Sequence, residues 1–165
     1  MKGIPINEID GMENKNVIDS RDSATIRFGY YLKDCFKADY NYSVEVVQDD
    51  DGFHVLLRDT VTDTEEVVTI ISLSDEVGKQ IENAYSDNQA VFEVDAVEQP
   101  PVFDGVYNRF LFSDYPFFND ITAGNIWYFR DNSEAVNAQK VLKLFWRMKD
   151  ILMSAGVDEK YFKLS

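Results

Sequence analysis

The stretch from Ser133 to Ala155 constrains the fold of this chain more than any other. At 100° per residue, Ala138, Val141, Leu142, Phe145, Met148 and Leu152 form one apolar stripe. Leu144, Trp146, Ile151 and Met153 widen it on both flanks. A surface helix needs an apolar arc of only about 100°, and this one spans roughly twice that. Such a helix must be covered on two sides. Asn132-Ser133-Glu134 offers an N-cap and a first-turn acid, and Gly156 stands where a C′ glycine ends a helix. The remaining narrow face carries Lys140, Lys143 and Arg147. That basic stripe is either a solvated face or a self-association surface that docks on acids of the same chain or of a second copy.

The clearest strand signal lies earlier. Tyr42, Val44 and Val46 alternate with Ser43, Glu45 and Val47, and Phe53, Val55 and Leu57 alternate with His54, Leu56 and Arg58. Asp49-Asp50-Asp51-Gly52 is the turn between them. A two-residue Asp51-Gly52 loop would set Glu45 opposite Arg58. A second acidic turn, Thr60–Glu66, leads to Val67–Leu73, so residues 42–73 form a meander. Ser74 caps a short helix over 74–86, with Asp75 and Glu76 in its first turn. The spacing of Phe28, Tyr31, Leu32, Cys35 and Phe36 predicts a further helix over 23–37, with Gly29 unfavourable inside it. Further strands are expected near 90–97, 106–112 and 125–130. The expected architecture is a single α+β domain over residues 23–165, an antiparallel sheet with helices packed on it, preceded by an irregular N-terminal arm over 1–22.

At 165 residues the chain can bury a core without disulfides, and Cys35 is its only cysteine. A reducing, cytoplasmic setting is therefore expected, the host cytoplasm if the protein is phage-encoded. Met1–Ser20 has no apolar stretch of the signal-peptide kind, and no run approaches the ~20 apolar residues of a membrane span. Asn41-Tyr42-Ser43 is read as a chance glycosylation match.

Charge carries the most functional information. The net charge is −14, and its distribution is one-sided. Residues 39–132 hold twenty acids against four bases (Arg58, Lys79, Arg109 and Arg130), whereas residues 133–165 hold four acids and six bases. Self-repulsion opposes direct binding to nucleic acid or to an anionic membrane and favours a basic partner. The expected partner-binding surface consists of Asp49, Asp50, Asp51, Asp59, Asp63, Glu65 and Glu66 around the turns, with Glu93, Asp95 and Glu98 on the strand near 90–97. Their spacing does not match a calcium-binding EF-hand loop, and neither a metal nor a cofactor is expected.

Chemistry-bearing motifs are scarce. His54 is the only histidine, on a strand face opposite Phe53 and Val55, with no nucleophile evident beside it. Cys35 falls among apolar neighbours, where a thiol behaves as a small hydrophobe. No phosphate loop, G-x-S-x-G, H-E-x-x-H or C-x-x-C occurs, so no catalytic residue is assigned. From Phe103 to Phe118 aromatics crowd together, and Tyr115, Phe117 and Phe118 sit in what reads as a loop. That loop is either a lid on the core or an exposed aromatic anchor.

In composition alone, the chain is similar to acidic single-domain inhibitors such as phage-encoded DNA mimics and toxin-neutralising immunity proteins; no motif carries a family resemblance. The leading expectation is a non-enzymatic binding protein that engages and blocks a basic, nucleic-acid-binding protein partner. The alternatives are a structural or assembly subunit, for instance of a phage particle or another homo-oligomer, and a carboxylate-dependent enzyme.

Overall fold

The computed structural model describes residues 4–5, 25–34, 41–62, 65–101 and 105–165. Among them seven strands form one antiparallel sheet: β1 (Ile4–Pro5), β2 (Thr25–Asp34), β3 (Asn41–Asp49), β4 (Gly52–Thr62), β5 (Glu65–Ser72), β6 (Val106–Asp114) and β7 (Phe117–Gly124). Two helices, α1 (Asp75–Asp87) and α2 (Val136–Ser154), pack on one face. The spatial order is β5-β4-β3-β2-β6-β7, and β1 extends the sheet beside β2 beyond the end of β6. The α+β architecture, the 42–73 meander and the long C-terminal helix match the sequence reading.

Three expected elements differ. Residues 23–37 do not form a helix, because Thr25–Asp34 is the central strand β2. Phe28, Tyr30 and Leu32 alternate on the core face and are buried, and Ile26, before the bulge, is buried as well. A period of two therefore wins over the helical spacing, and the aromatic and β-branched side chains suit a pleated surface. Gly29 has a packing role: a Cβ there would lie 2.8 Å from the Tyr31 hydroxyl. Its absence lets the Tyr31 ring lie across the strand and reach Glu45, paired opposite Gly29 on β3. Cys35 lies outside the described residues, as does most of the 1–22 arm, of which Ile4–Pro5 pairs with β2.

Residues 90–97 are not a strand either. Gln89–Glu93 forms a 3-10 turn that buries Val91, and the irregular chain after it buries Val94 and Val97. Ile126–Phe129 is likewise a 3-10 turn and not a strand, burying Ile126 and Phe129 and exposing Trp127 and Tyr128. The last strand is instead β7, joined to β6 by a two-residue Tyr115–Pro116 turn with a cis peptide bond.

Helix α2 ends as expected but begins differently. Gly156, at φ 103°, donates to the Met153 carbonyl and Val157 to that of Leu152, the paired bonds of a Schellman motif. At the other end Ser133 does not cap, and the helix starts at Val136. The cap comes from a distant residue: the Glu98 carboxylate accepts the backbone N–H groups of Asn137 and Ala138, both at 2.8 Å. Desolvation pushes the Glu98 carboxyl upward, but its own backbone N–H and those of Asn137 and Ala138 outweigh this and hold it below the ordinary carboxylate range. Phe145, in the middle of α2, has no solvent exposure and stacks against Tyr30 and Phe110 of the sheet at 4.6 and 5.4 Å. Phe162 of the C-terminal turn closes its other side at 6.2 Å. The helix is covered on two sides, as its wide apolar arc requires. Among the described residues, no helix is long and apolar enough to cross a membrane.

Candidate functional site

The acidic turn of the meander is one residue offset from the Asp51-Gly52 loop considered from sequence. Asp49 pairs with Gly52, so Asp50 and Asp51 form the loop. Glu45 therefore faces Leu56, and Arg58 faces Ser43. Asp49 is turned inward: its carboxylate accepts the Asp51 N–H at 2.9 Å and lies 3.2 Å from His54 Nε2. His54 Nδ1 is in turn 3.3 Å from Ser72 Oγ on β5. A carboxylate only accepts, so in the neutral ring Nε2–H donates to Asp49 and Nδ1 accepts from the serine hydroxyl. This chain of contacts ties the turn to the outer strand. Ser72 stands exposed on that strand, and the contacts brace the sheet. Asp50 and Asp51 remain exposed.

The second acidic cluster is divided. Glu65 and Glu66 are exposed at the start of β5, while Asp63 lies outside the described residues. Asp59 bonds Lys160 Nζ at 2.9 Å. On the sheet face opposite the helices, Arg58 Nη1 donates to the buried Glu45, Tyr31 donates to the other Glu45 oxygen at 2.8 Å, and Arg58 Nε lies 3.6 Å from Glu66. Desolvation pushes the Glu45 carboxyl up, opposed by Arg58 and the Tyr31 hydroxyl. Tyr31, Arg58 and Glu66 line a cavity of about 280 Å³ whose walls also include Lys33, Tyr107 and Arg109. Arg109 is held there by Asp120 through a bidentate pair of 2.9 and 2.6 Å. Two of the four bases of the acidic segment are thus engaged on this face. The sequence showed the acids but not which of them these arginines occupy.

Glu93, Asp95 and Glu98 do not form a strand-borne surface. Glu98 serves as the α2 cap, Glu93 sits 4.0 Å from Lys140, and Asp95 is exposed in the connection that follows the 3-10 turn. Arg147 bonds Asp87 at 3.1 Å. Two members of the basic stripe are thus paired within the chain, with acids at the end of α1 and in the 3-10 turn and not with the meander. Lys143 is exposed on the same helix.

The expected aromatic loop is the tip of the β6–β7 hairpin. Tyr115 and Phe117 are 62% and 51% exposed, Phe118 is half-buried, and Phe117 leans on Phe92 at 5.7 Å. Among the described residues no group of three or more His, Cys, Asp or Glu side chains is arranged to hold a metal ion.

One surface escaped the sequence reading. Strand β5 is an outer strand of the sheet, and apart from the half-buried Ile71 all its residues are exposed. Val67 and Ile70 are 56% and 54% exposed, and Val68 is exposed beside them. The sequence places Val67–Leu73 as the third strand of the meander but does not show that Val67, Val68 and Ile70 lie exposed on it. Compared with the known protein families the chain matches none, and no curated protein is detectably similar to it in sequence.

Proposed function

We propose that this protein is a non-enzymatic acidic binding protein that engages a basic, nucleic-acid-binding protein in the cytoplasm and blocks its site, in the manner of a DNA mimic or an immunity protein. The observation that carries this reading is where the charge resides. Asp50, Asp51, Glu65, Glu66, Asp75 and Glu76 are exposed in two groups, one at each end of β5, although Glu66 also lies 3.6 Å from Arg58, whose main partner is the buried Glu45, and Arg109 is engaged by Asp120. Duplex DNA carries one charge per ≈ 1.7 Å of axis, and a groove built for phosphates accepts carboxylates presented at comparable density.

Such binding is fast and sensitive to salt, because the Debye length falls from about 10 Å at 0.1 M to about 3 Å at 1 M. Immobilised protein should retain a basic protein from a lysate of its source cell at the lower salt and release it at the higher. The variant carrying Asp50→Asn, Asp51→Asn, Glu65→Gln and Glu66→Gln should fold, since it relieves self-repulsion, and should retain at least ~10-fold less. Retention that ignores both salt and the substitutions would overturn the reading. An assembly subunit is the second reading, favoured by the exposed aliphatic margin of β5. A discrete large homo-oligomer by light scattering would select it.

A further inference from the structure

Strand β5 pairs with β4 along one edge and with no described strand along the other. Its backbone donors and acceptors on that outer edge form a ready template for another strand. Natural sheets usually protect such an edge with lysine, proline or a bulge. Between Val67 and Ser72 there is no proline and no lysine, and Val67, Val68 and Ile70 lie exposed. The bulge of the β4–β5 pair falls at Thr60–Thr62 of β4, before this stretch.

Charge brackets the edge at both ends. Glu65 and Glu66 stand at its start. At its finish the Asp49–His54–Ser72 contacts hold the Asp50–Asp51 turn beside β5, and Asp75 and Glu76 follow within the next turn of chain. We propose that the outer edge of β5 receives an extended segment of the basic partner as an added strand, with apolar β-forming residues at its centre and Lys or Arg at both ends. At 3.3 Å per residue, Val67–Ser72 offers about 20 Å, room for roughly six residues between the basic flanks. The inference deepens the basic-partner reading and rests on it.

A second copy is a poorer occupant. Two β5 strands related by a two-fold axis at Thr69 would set Glu66 opposite Ser72 of the other chain. That sets Glu65 opposite Leu73, so the acidic start of each strand lies near the acidic first turn of the other copy's α1, and like charges brought together repel.

The test uses the full chain and three labelled synthetic peptides: Lys-Lys-Val-Thr-Val-Thr-Val-Lys-Lys, the same with a Gly-Ser-Gly-Ser-Gly centre, and the Val-Thr peptide with Glu flanks. The first should bind at least ~10-fold more tightly than either of the others and should slow amide exchange across Val67–Ser72. Ile70→Asp, with Val68→Asp as a second variant checked for folding by circular dichroism, should weaken that binding by a similar factor. Both substitutions add negative charge, so simple attraction of a cation would instead strengthen. Equal binding of the two basic peptides, or binding indifferent to both substitutions, would overturn docking on the edge while leaving the basic-partner reading intact. Failure of both basic peptides together with salt-indifferent lysate capture would remove both. A dimer of the wild-type chain that Ile70→Asp abolishes and that excludes the peptides would give the edge to a second copy and overturn the proposal.

Discussion

Replacing Arg27 by methionine is expected to lower the stability of the fold by about 3–5 kcal/mol. Arg27 is the extra residue of a bulge in β2, where the pairing with β3 shifts between Ile26 and Phe28. Its side chain has no solvent exposure. Nε donates to the Ser113 carbonyl at 3.0 Å, and Nη1 donates to Gln48 at 2.9 Å and to Glu82 of α1 at 2.7 Å. Nη2 lies 3.5 Å from Asp114, and the guanidinium faces the rings of Tyr85 and Phe53 at 5.4 and 5.7 Å. The ladder with β6 ends at Phe28 and Phe112, and Tyr85 bridges the two strands just beyond it: its hydroxyl donates to the Arg27 carbonyl and accepts the Ser113 N–H at 3.2 Å. Burial accordingly holds the Tyr85 hydroxyl well above the ordinary tyrosine range. Methionine fills much of the space but leaves two carboxylates without their counter-charge. Glu82 keeps some access to water, which places the expected loss toward the lower end of the range. Lysine should recover only part of it, because a single ammonium cannot reproduce the planar fork. Urea denaturation followed by circular dichroism reads the effect as a lower midpoint at an unchanged slope. A loss under ~1 kcal/mol would mean that Arg27 does not anchor α1 to the sheet.

Phe145→Ala should cost a similar amount, about 3–5 kcal/mol, for a different reason. Here no charge is stranded. The loss is the transfer energy of a large ring plus the cavity left between Tyr30, Phe110 and Phe162, three rings on three elements that cannot all collapse inward. Thermal unfolding of the variant checks it, with Phe145→Leu expected to recover most of the difference. A change within ~0.5 kcal/mol would contradict the two-sided packing of α2.

The contrast between these two residues marks how far the sequence could be read. Phe145 was legible because an apolar stripe at helical spacing has one economical explanation. Arg27 was not, because a lone arginine among aromatics reads as a solvated side chain until the bulge that turns it inward is known. The same limit explains β2. Phe28, Tyr31 and Leu32 satisfy a helical period as well as Phe28, Tyr30 and Leu32 satisfy a strand, and only pairing on both sides with β3 and β6 decides between them. Val91, Val94 and Val97 pointed to a strand by their β-branched chemistry, but only a short 3-10 turn and irregular chain carry them.

The acidic surface was legible in amount and less so in place. Counting charges established that four bases cannot neutralise twenty acids across residues 39–132. It could not show that Glu98 is consumed as a helix cap, Glu45 by Arg58 and Asp59 by Lys160, since each of those partners is remote in sequence or hidden by the strand register. Among the exposed acids, Asp50, Asp51, Glu65, Glu66, Asp75 and Glu76 fall into two groups, one at each end of β5. That arrangement is more specific than an overall acidic field.

The central claim, that the chain occupies a surface its partner uses for nucleic acid, is tested most directly by competition. The basic protein released from the immobilised chain by salt would be offered a labelled DNA duplex, with and without excess of this protein, at ~0.1 M salt, where electrostatic attraction still reaches about 10 Å. The account predicts mutual exclusion: the chain displaces the duplex, and the duplex elutes the partner from the chain. A stable ternary complex, in which the partner holds DNA and this protein together, would contradict it.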